Sequence, residues 1–271
     1  MSRHEKQVRK VSNLSGALLV ALPEIAKHKM PLPIPIISEI TAWDDRTLIW
    51  LNQFMFRWPL LDESIEWVLN ATIIQFFPMI MAVCWLWFEK TVHQSSNRKI
   101  LVESILTTLA ALFFGRVFAL TLPFRDRPFI NSDLHFISPL EPDVRTWSSF
   151  PSDHAVMAFA LAASLFRISP RVGLWAYFHA TVFICLPRLY FGLHYPSDLI
   201  GGALIGILLV ITMSRLRGRH VVTSYLLSIE NRYPAILYTF GFFVLYEMSE
   251  MFLTFRVLAN YLFLELRYFL T

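Results

Sequence analysis

What most constrains this 271-residue chain is a series of apolar runs long enough, or nearly long enough, to cross a lipid bilayer. A transmembrane helix needs roughly 20 apolar residues, or about 17 at the short end. Five segments approximate that need, at 71–88, 100–122, 172–189, 199–213 and 233–253. A sixth, 154–168, is apolar after its first residue but short, and is kept as a crossing because of the polar residues at its start. Lipid offers no hydrogen-bond partners, so a lone crossing segment must satisfy its own backbone as a helix.

Composition agrees with a membrane location. Hydrophobic residues make up 55% of the chain and charged residues 16%, where a soluble domain carries about 25% charged. The 24 Phe and 8 Trp suit contact with lipid and its interfaces. Net charge is +4, from 24 Lys and Arg against 20 Asp and Glu. That balance fits anionic headgroups or a phosphorylated substrate, and nothing resembles a nucleic-acid module. Cys84 and Cys185 lie inside apolar runs and read as small buried residues rather than a disulfide or metal pair. The basic start, 1–10, precedes an apolar stretch, 16–22, that runs into Pro23 and Glu24 without a cleavage site, so no removed signal peptide is expected.

Around the apolar runs lie amphipathic segments. Between 43 and 69, Leu48, Ile49, Leu51, Phe54, Met55 and Phe56 interleave with Asp44, Asp45, Arg46 and Asn52, as in helices lying at the interface. The prolines of 30–36 exclude a helix there. The expected architecture is therefore all-α: a polytopic membrane bundle of about six transmembrane helices with interfacial amphipathic helices. Its parts are an N-terminal interfacial region (1–70), a transmembrane domain (71–254) and an amphipathic tail (255–271).

If the segments alternate, the connections 89–99, 167–171 and 215–220 share one side and carry Lys90, Arg98, Lys99, Arg167, Arg171, Arg215, Arg217 and Arg219. Positive connections stay in the cytoplasm. The loop 123–153 and the link 190–198 then lie outside, and the basic N-terminus needs a further crossing before residue 70 to reach the same side as the other basic connections.

The outward side gathers polar residues that are costly beside a membrane and are therefore functional candidates. They are Arg125-Asp126-Arg127-Pro128, Pro151-Ser152-Asp153-His154 and Arg188 through His194-Tyr195-Pro196-Ser197-Asp198. Pro196 suits the first turn of a helix, which puts His194 just before a helix start and Asp198 in the first turn. The four-residue spacing lets Asp198 accept a proton from one imidazole nitrogen and leaves the other as a nucleophile. Ser152 suits the N-cap of a helix beginning near Asp153. Two helix N-termini would converge, and such ends bind phosphate. Arg127 and Arg188 add planar donors matched to phosphate oxygens.

These three segments resemble the signature of the type 2 phosphatidic acid phosphatase superfamily: Lys-x6-Arg-Pro, Pro-Ser-Gly-His and Ser-Arg-x5-His-x3-Asp. Arg127-Pro128, Pro151-Ser152-x-His154 and Arg188-x5-His194-x3-Asp198 match it. Three positions depart from the pattern: Leu120 stands where the lysine belongs, Asp153 replaces the glycine and Pro187 the serine. Arg125 is the nearest replacement for the lysine, with Arg116 behind it.

The resemblance implies that His194 attacks phosphorus to form a phosphohistidine with Asp198 orienting it. His154 protonates the leaving oxygen and then activates water. Arg127, Arg188, Arg125 and the N–H groups around Ser152 and Asp153 hold the phosphate oxygens. No metal or cofactor is expected, since no carboxylate cluster suits magnesium. The form Pro-Phe-Arg-x-Arg-Pro with Pro-Ser-Asp-His resembles bacterial members acting on polyprenyl pyrophosphates, in the inner membrane with an extracytoplasmic site. Alternatives are phosphotransfer to a second lipid such as lipid A, a phosphatidic acid or phosphatidylglycerophosphate phosphatase, and a non-catalytic binding or transport protein.

The topology has a direct test. A reporter fused after Arg219 is expected to be active only as a cytoplasmic marker, and a periplasmic signal there would reverse the orientation.

Overall fold

The computed structural model describes residues 35–138, 148–216, 219–254 and 258. The expectations for the basic start, the signal peptide, residues 30–34 and nearly all of the tail lie outside these. Of the stretch 30–36 expected to be non-helical, Pro35 and Ile36 are in fact helical, since a proline fits a helix's first turn. Among the described residues the fold is helical, with no strand. In order the helices are α1 (Pro35–Asn52), α2 (Pro59–Asn70), α3 (Phe77–Phe88), α4 (Gln94–Thr121), α5 (Asp153–Phe166), α6 (Pro170–Tyr190), α7 (Pro196–Arg215), α8 (Arg219–Arg232) and α9 (Pro234–Ser249). Five of them (α1, α2, α6, α7 and α9) open on proline, whose fixed φ and missing N–H suit a first turn.

Three of the described helices, α4, α6 and α7, are long and apolar enough to cross a membrane, with 28, 21 and 20 residues. The other expected crossings are shorter. The run from 71 begins in turns, and α3 starts only at Phe77, with Pro78 in its first turn. At 14 residues, α5 rises about 21 Å against a hydrocarbon depth of roughly 30 Å. It is shielded instead by protein, since ten of its residues are buried and it packs against α4, α6 and α7. The amphipathic stretch 43–69 divides into α1 and α2, and between the apolar runs 199–213 and 233–253 stands the α8 helix, for which the hydropathy gives no sign.

The α5–α7 contact is set by small residues. Ala155, Ala158, Ala160, Ala162 and Ala163 are buried on α5. From α7, Gly202 and Gly206 approach it so closely that a Cβ on Gly206 would lie 2.4 Å from the Val156 carbonyl oxygen, and one on Gly202 2.7 Å from that of Ser152. Two glycines four apart are the usual means of bringing membrane helices together.

The two ends of the bundle differ. At one, Arg98 bonds Glu230 at 2.6 Å and Arg167 bonds Glu103 at 3.1 Å, which groups the connections 89–99 and 167–169 with the end of α8. At the other, the loop after α4 meets the starts of α5 and α7, where the motif residues lie.

Replacing Gly206 by Val should cost about 1–3 kcal/mol by overpacking. Gly241, whose Cβ position has nothing within 4 Å, should accept Ala without loss. Thermal unfolding in detergent measures both.

Candidate active site

Both helix starts fall where local sequence places them. Ser152 takes the N-cap position of α5 and its backbone N–H donates to the Asp198 carbonyl at 3.3 Å, which ties the two helix entrances together. The Ser152 hydroxyl makes no capping bond. It is fully buried and has no partner among the described residues.

His194 is buried in the turn between α6 and α7. Its Nδ1 lies 2.9 Å from the Ser149 carbonyl oxygen, and Asp198 Oδ2 stands off at 3.8 Å. A carbonyl only accepts, so the tautomer with hydrogen on Nδ1 is held and Nε2 keeps its lone pair. Asp198 thus supports the ring at ion-pair distance rather than by the direct hydrogen bond expected from the spacing. Its Oδ2 accepts from the Ser149 hydroxyl and, at 2.9 Å, from the Tyr195 N–H. Burial holds the His194 pKa below its ordinary 6.5; Asp198 opposes this and the Arg127 charge adds to it.

Arg127 reaches the free side of that ring, with Nη1 3.5 Å from His194 Nε2 and 3.0 Å from the Leu193 carbonyl oxygen. Its Nε is buried without a partner among the described residues. Burial brings its pKa down to about 10, against the pull of Asp153 and Asp198, so it stays cationic at neutral pH. Arg125, expected to present its guanidinium to phosphate in place of the lysine, is turned elsewhere. Its Nη1 donates to Asp198 Oδ1 at 2.6 Å and to the Ser197 hydroxyl at 2.8 Å, and its Nη2 to Asp44 Oδ2 at 2.6 Å. Two nearby carboxylates hold the group there. Arg116 forms an ion pair with Asp153, and the other carboxylate oxygen of Asp153 has no partner among the described residues. The residue at the lysine position, Leu120, is largely exposed.

Arg188 owes its place to an irregularity in α6. Pro187 has no N–H to give the Phe183 carbonyl, and the helix widens to a π-helical turn over Ala180–Cys185. The Gln75 amide donates to that carbonyl at 2.8 Å, while its Oε1 accepts from Arg188 Nη1 at 2.7 Å. Arg188 also bonds the Ile184 carbonyl oxygen at 2.6 Å, so it does cap backbone, but within the site. His154 stacks on Phe76, with ring centroids 6.0 Å apart. It shares with Arg188 a cavity of about 110 Å³, walled also by Gln75, Ser249 and Glu250.

The three motifs therefore meet at one end of the bundle. Asp44, Gln75, Ser149 and Ser197 were missed as site residues. Asp44 had a legible signal, because it lies on the apolar stripe of α1 with Leu48 and Leu51. Gln75 had one too, as a lone amide in an apolar run.

Among the described residues, no cluster of three or more His, Cys, Asp or Glu is placed to hold a metal ion.

Comparison with known proteins follows this geometry. Residues 100–221 match the PAP2 superfamily. Undecaprenyl-diphosphatase BcrC of Bacillus subtilis is 25% identical over 150 residues, covering 55% of this chain and 72% of that protein. An undecaprenyl-diphosphatase of Sulfolobus acidocaldarius is 30% identical over 116 residues, covering 41% and 52%. The lipid A 4'-phosphatase of Bacteroides thetaiotaomicron is 46% identical over a shorter 63 residues, covering 21% and 26%. The matched stretch contains Arg127, His154, Arg188, His194 and Asp198, and over it this chain is similar to the PAP2 superfamily.

Proposed function

We propose that the chain is a membrane lipid phosphatase that hydrolyses a polyprenyl pyrophosphate of the undecaprenyl kind, through a phosphohistidine on His194. The observation that carries this reading is the state of the His194 ring. Nδ1 is pinned on the Ser149 carbonyl, and Nε2 faces Arg127. Beside it, Arg127 Nε and the Ser152 hydroxyl are buried donors without partners among the described residues. Buried donors are almost always satisfied, and a phosphate oxygen would satisfy both.

The reaction would run in two displacements. His194 Nε2 attacks the terminal phosphorus as the P–O bond to the leaving phosphate breaks, and His154 gives that oxygen its proton. Water then attacks the phosphohistidine, His154 takes the water's proton, and the P–N bond breaks to release inorganic phosphate. Arg127, Arg188, Ser152 and the α5 N-terminus would hold the equatorial oxygens. Asp198 would offset the positive charge on the substituted ring. Arg125 is assigned to Asp198 rather than to phosphate, and Asp153 to Arg116. The site is read as extracytoplasmic, in a bacterial inner membrane, with the lipid tail remaining in the bilayer.

A lipid A phosphatase is the second reading, favoured by the local identity to the Bacteroides protein. Phosphotransfer to another lipid would use the same phosphohistidine. Purified protein, with chelator present, should release phosphate from labelled undecaprenyl pyrophosphate faster than from lipid A or phosphatidylglycerophosphate. Preference for another of these lipids reassigns the substrate, and label recovered in a second lipid replaces hydrolysis by transfer.

His194→Ala should lower phosphate release by roughly a thousandfold or more while the protein still inserts and purifies as before. Unchanged release would exclude the phosphohistidine. The neutral ring is the attacking form, and its pKa is held below 6.5. The acid limb of kcat/KM, corrected for substrate ionisation, should therefore have its midpoint below pH 6.5; a midpoint above it contradicts this assignment.

A further inference from the structure

We propose that Asp44, on the amphipathic helix α1, is a positioning residue for the His194–Asp198 pair, acting through Arg125. This rests on the phosphohistidine reading of His194.

Asp44 is fully buried, although it belongs to a helix whose neighbouring turns are largely exposed. Both of its oxygens are engaged with the catalytic end of the bundle. Oδ1 accepts from the Ser197 backbone N–H at 2.9 Å, and Oδ2 accepts from the Ser197 hydroxyl and from Arg125 Nη2 at 2.6 Å. Ser197 lies in the first turn of α7, so Asp44 satisfies one of the N–H groups that a helix start leaves without an internal partner. Arg125 is then shared between two carboxylates: it spans from Asp44 to Asp198 Oδ1, with its guanidinium 3.8 Å above the Tyr195 ring. The other oxygen of Asp198 faces His194. An alternating series of charges, Asp44, Arg125, Asp198 and the ring of His194, therefore runs from α1 into the site.

The consequence is electrostatic. With Asp44 in place, Arg125 is balanced twice and Asp198 keeps negative charge available to the ring. Without it, the whole Arg125 charge falls on Asp198, and the positive ring of a phosphohistidine loses its support. Asp44 does not line the cavity of His154 and Arg188, so substrate affinity should be spared. It also lies outside residues 100–221, which makes α1 a part of the active site contributed from beyond the family segment.

The test is a double-mutant cycle of Asp44→Asn and Arg125→Gln, read on whichever lipid phosphate the wild type hydrolyses. Asp44→Asn should lower kcat about tenfold with KM within about threefold, and the double variant should be no worse than the poorer single, since coupled groups are non-additive. Wild-type kcat in Asp44→Asn, a change in KM alone, or losses that multiply in the double variant would overturn the proposal. If Asp44→Asn does not yield folded protein, Asp44→Glu decides: it keeps the charge and should hold kcat within about threefold, whereas a folded Asp44→Glu protein with greater loss overturns it. A different preferred lipid would revise the substrate and leave this cycle intact. A wild type that hydrolyses none would instead defeat the phosphatase reading.

Discussion

The close approach of α5 and α7 is the contact on which the site depends. Val156 and Ala160 meet Gly206 backbone to backbone, and one turn higher Ser152 and Ala155 meet Gly202. Because the helices touch without intervening side chains, their first turns arrive together and Ser152 N–H can reach the Asp198 carbonyl. Two positive helix ends are thus superposed on a small volume. In lipid, where apolar side chains gain little by leaving their surroundings, such packing has to come from surface fit. The alanines of α5 and the glycines of α7 supply it, and protein on its flanks lets α5 be shorter than the bilayer is deep.

Around that contact, charges are arranged in compensated pairs, with one part left open. Asp198 and Asp44 engage Arg125, Asp153 engages Arg116, and at the far end Glu230 and Glu103 engage Arg98 and Arg167. Arg127 and Arg188 are bound to carbonyl and amide oxygens instead, and among the described residues no carboxylate pairs with either. A buried cation without a counterion is costly, and here the cost falls beside His194. Within the site the paired Arg125 braces Asp198, while Arg127 and Arg188 keep their charge for an anion.

The parts legible in sequence were those governed by short-range rules. Pro196 and the Ser152-Asp153 step mark helix starts through backbone chemistry alone, and both helices begin there. Arg127, His154, Arg188, His194 and Asp198 stood out because charge beside apolar runs is rare. What escaped depends on distant partners. Nothing near residue 125 reveals that Arg125 will meet a carboxylate 81 positions earlier, and the acceptor for His194 Nδ1–H is a backbone carbonyl, which every residue has. The α8 helix was hidden by its mixed composition, and the length of α5 by a hydropathy that cannot tell burial in protein from burial in lipid.

Pro187 and Gln75 have become mutually dependent. The proline opens the helix and exposes the Phe183 carbonyl; the amide of Gln75, from 108 positions away, closes that opening and in the same gesture holds Arg188. A chain with serine at 187 has a backbone donor of its own and places no such demand on residue 75. Loss of the Gln75 amide should therefore be felt more beside Pro187 than beside a serine, so that the proline is tolerable only where the amide already stands.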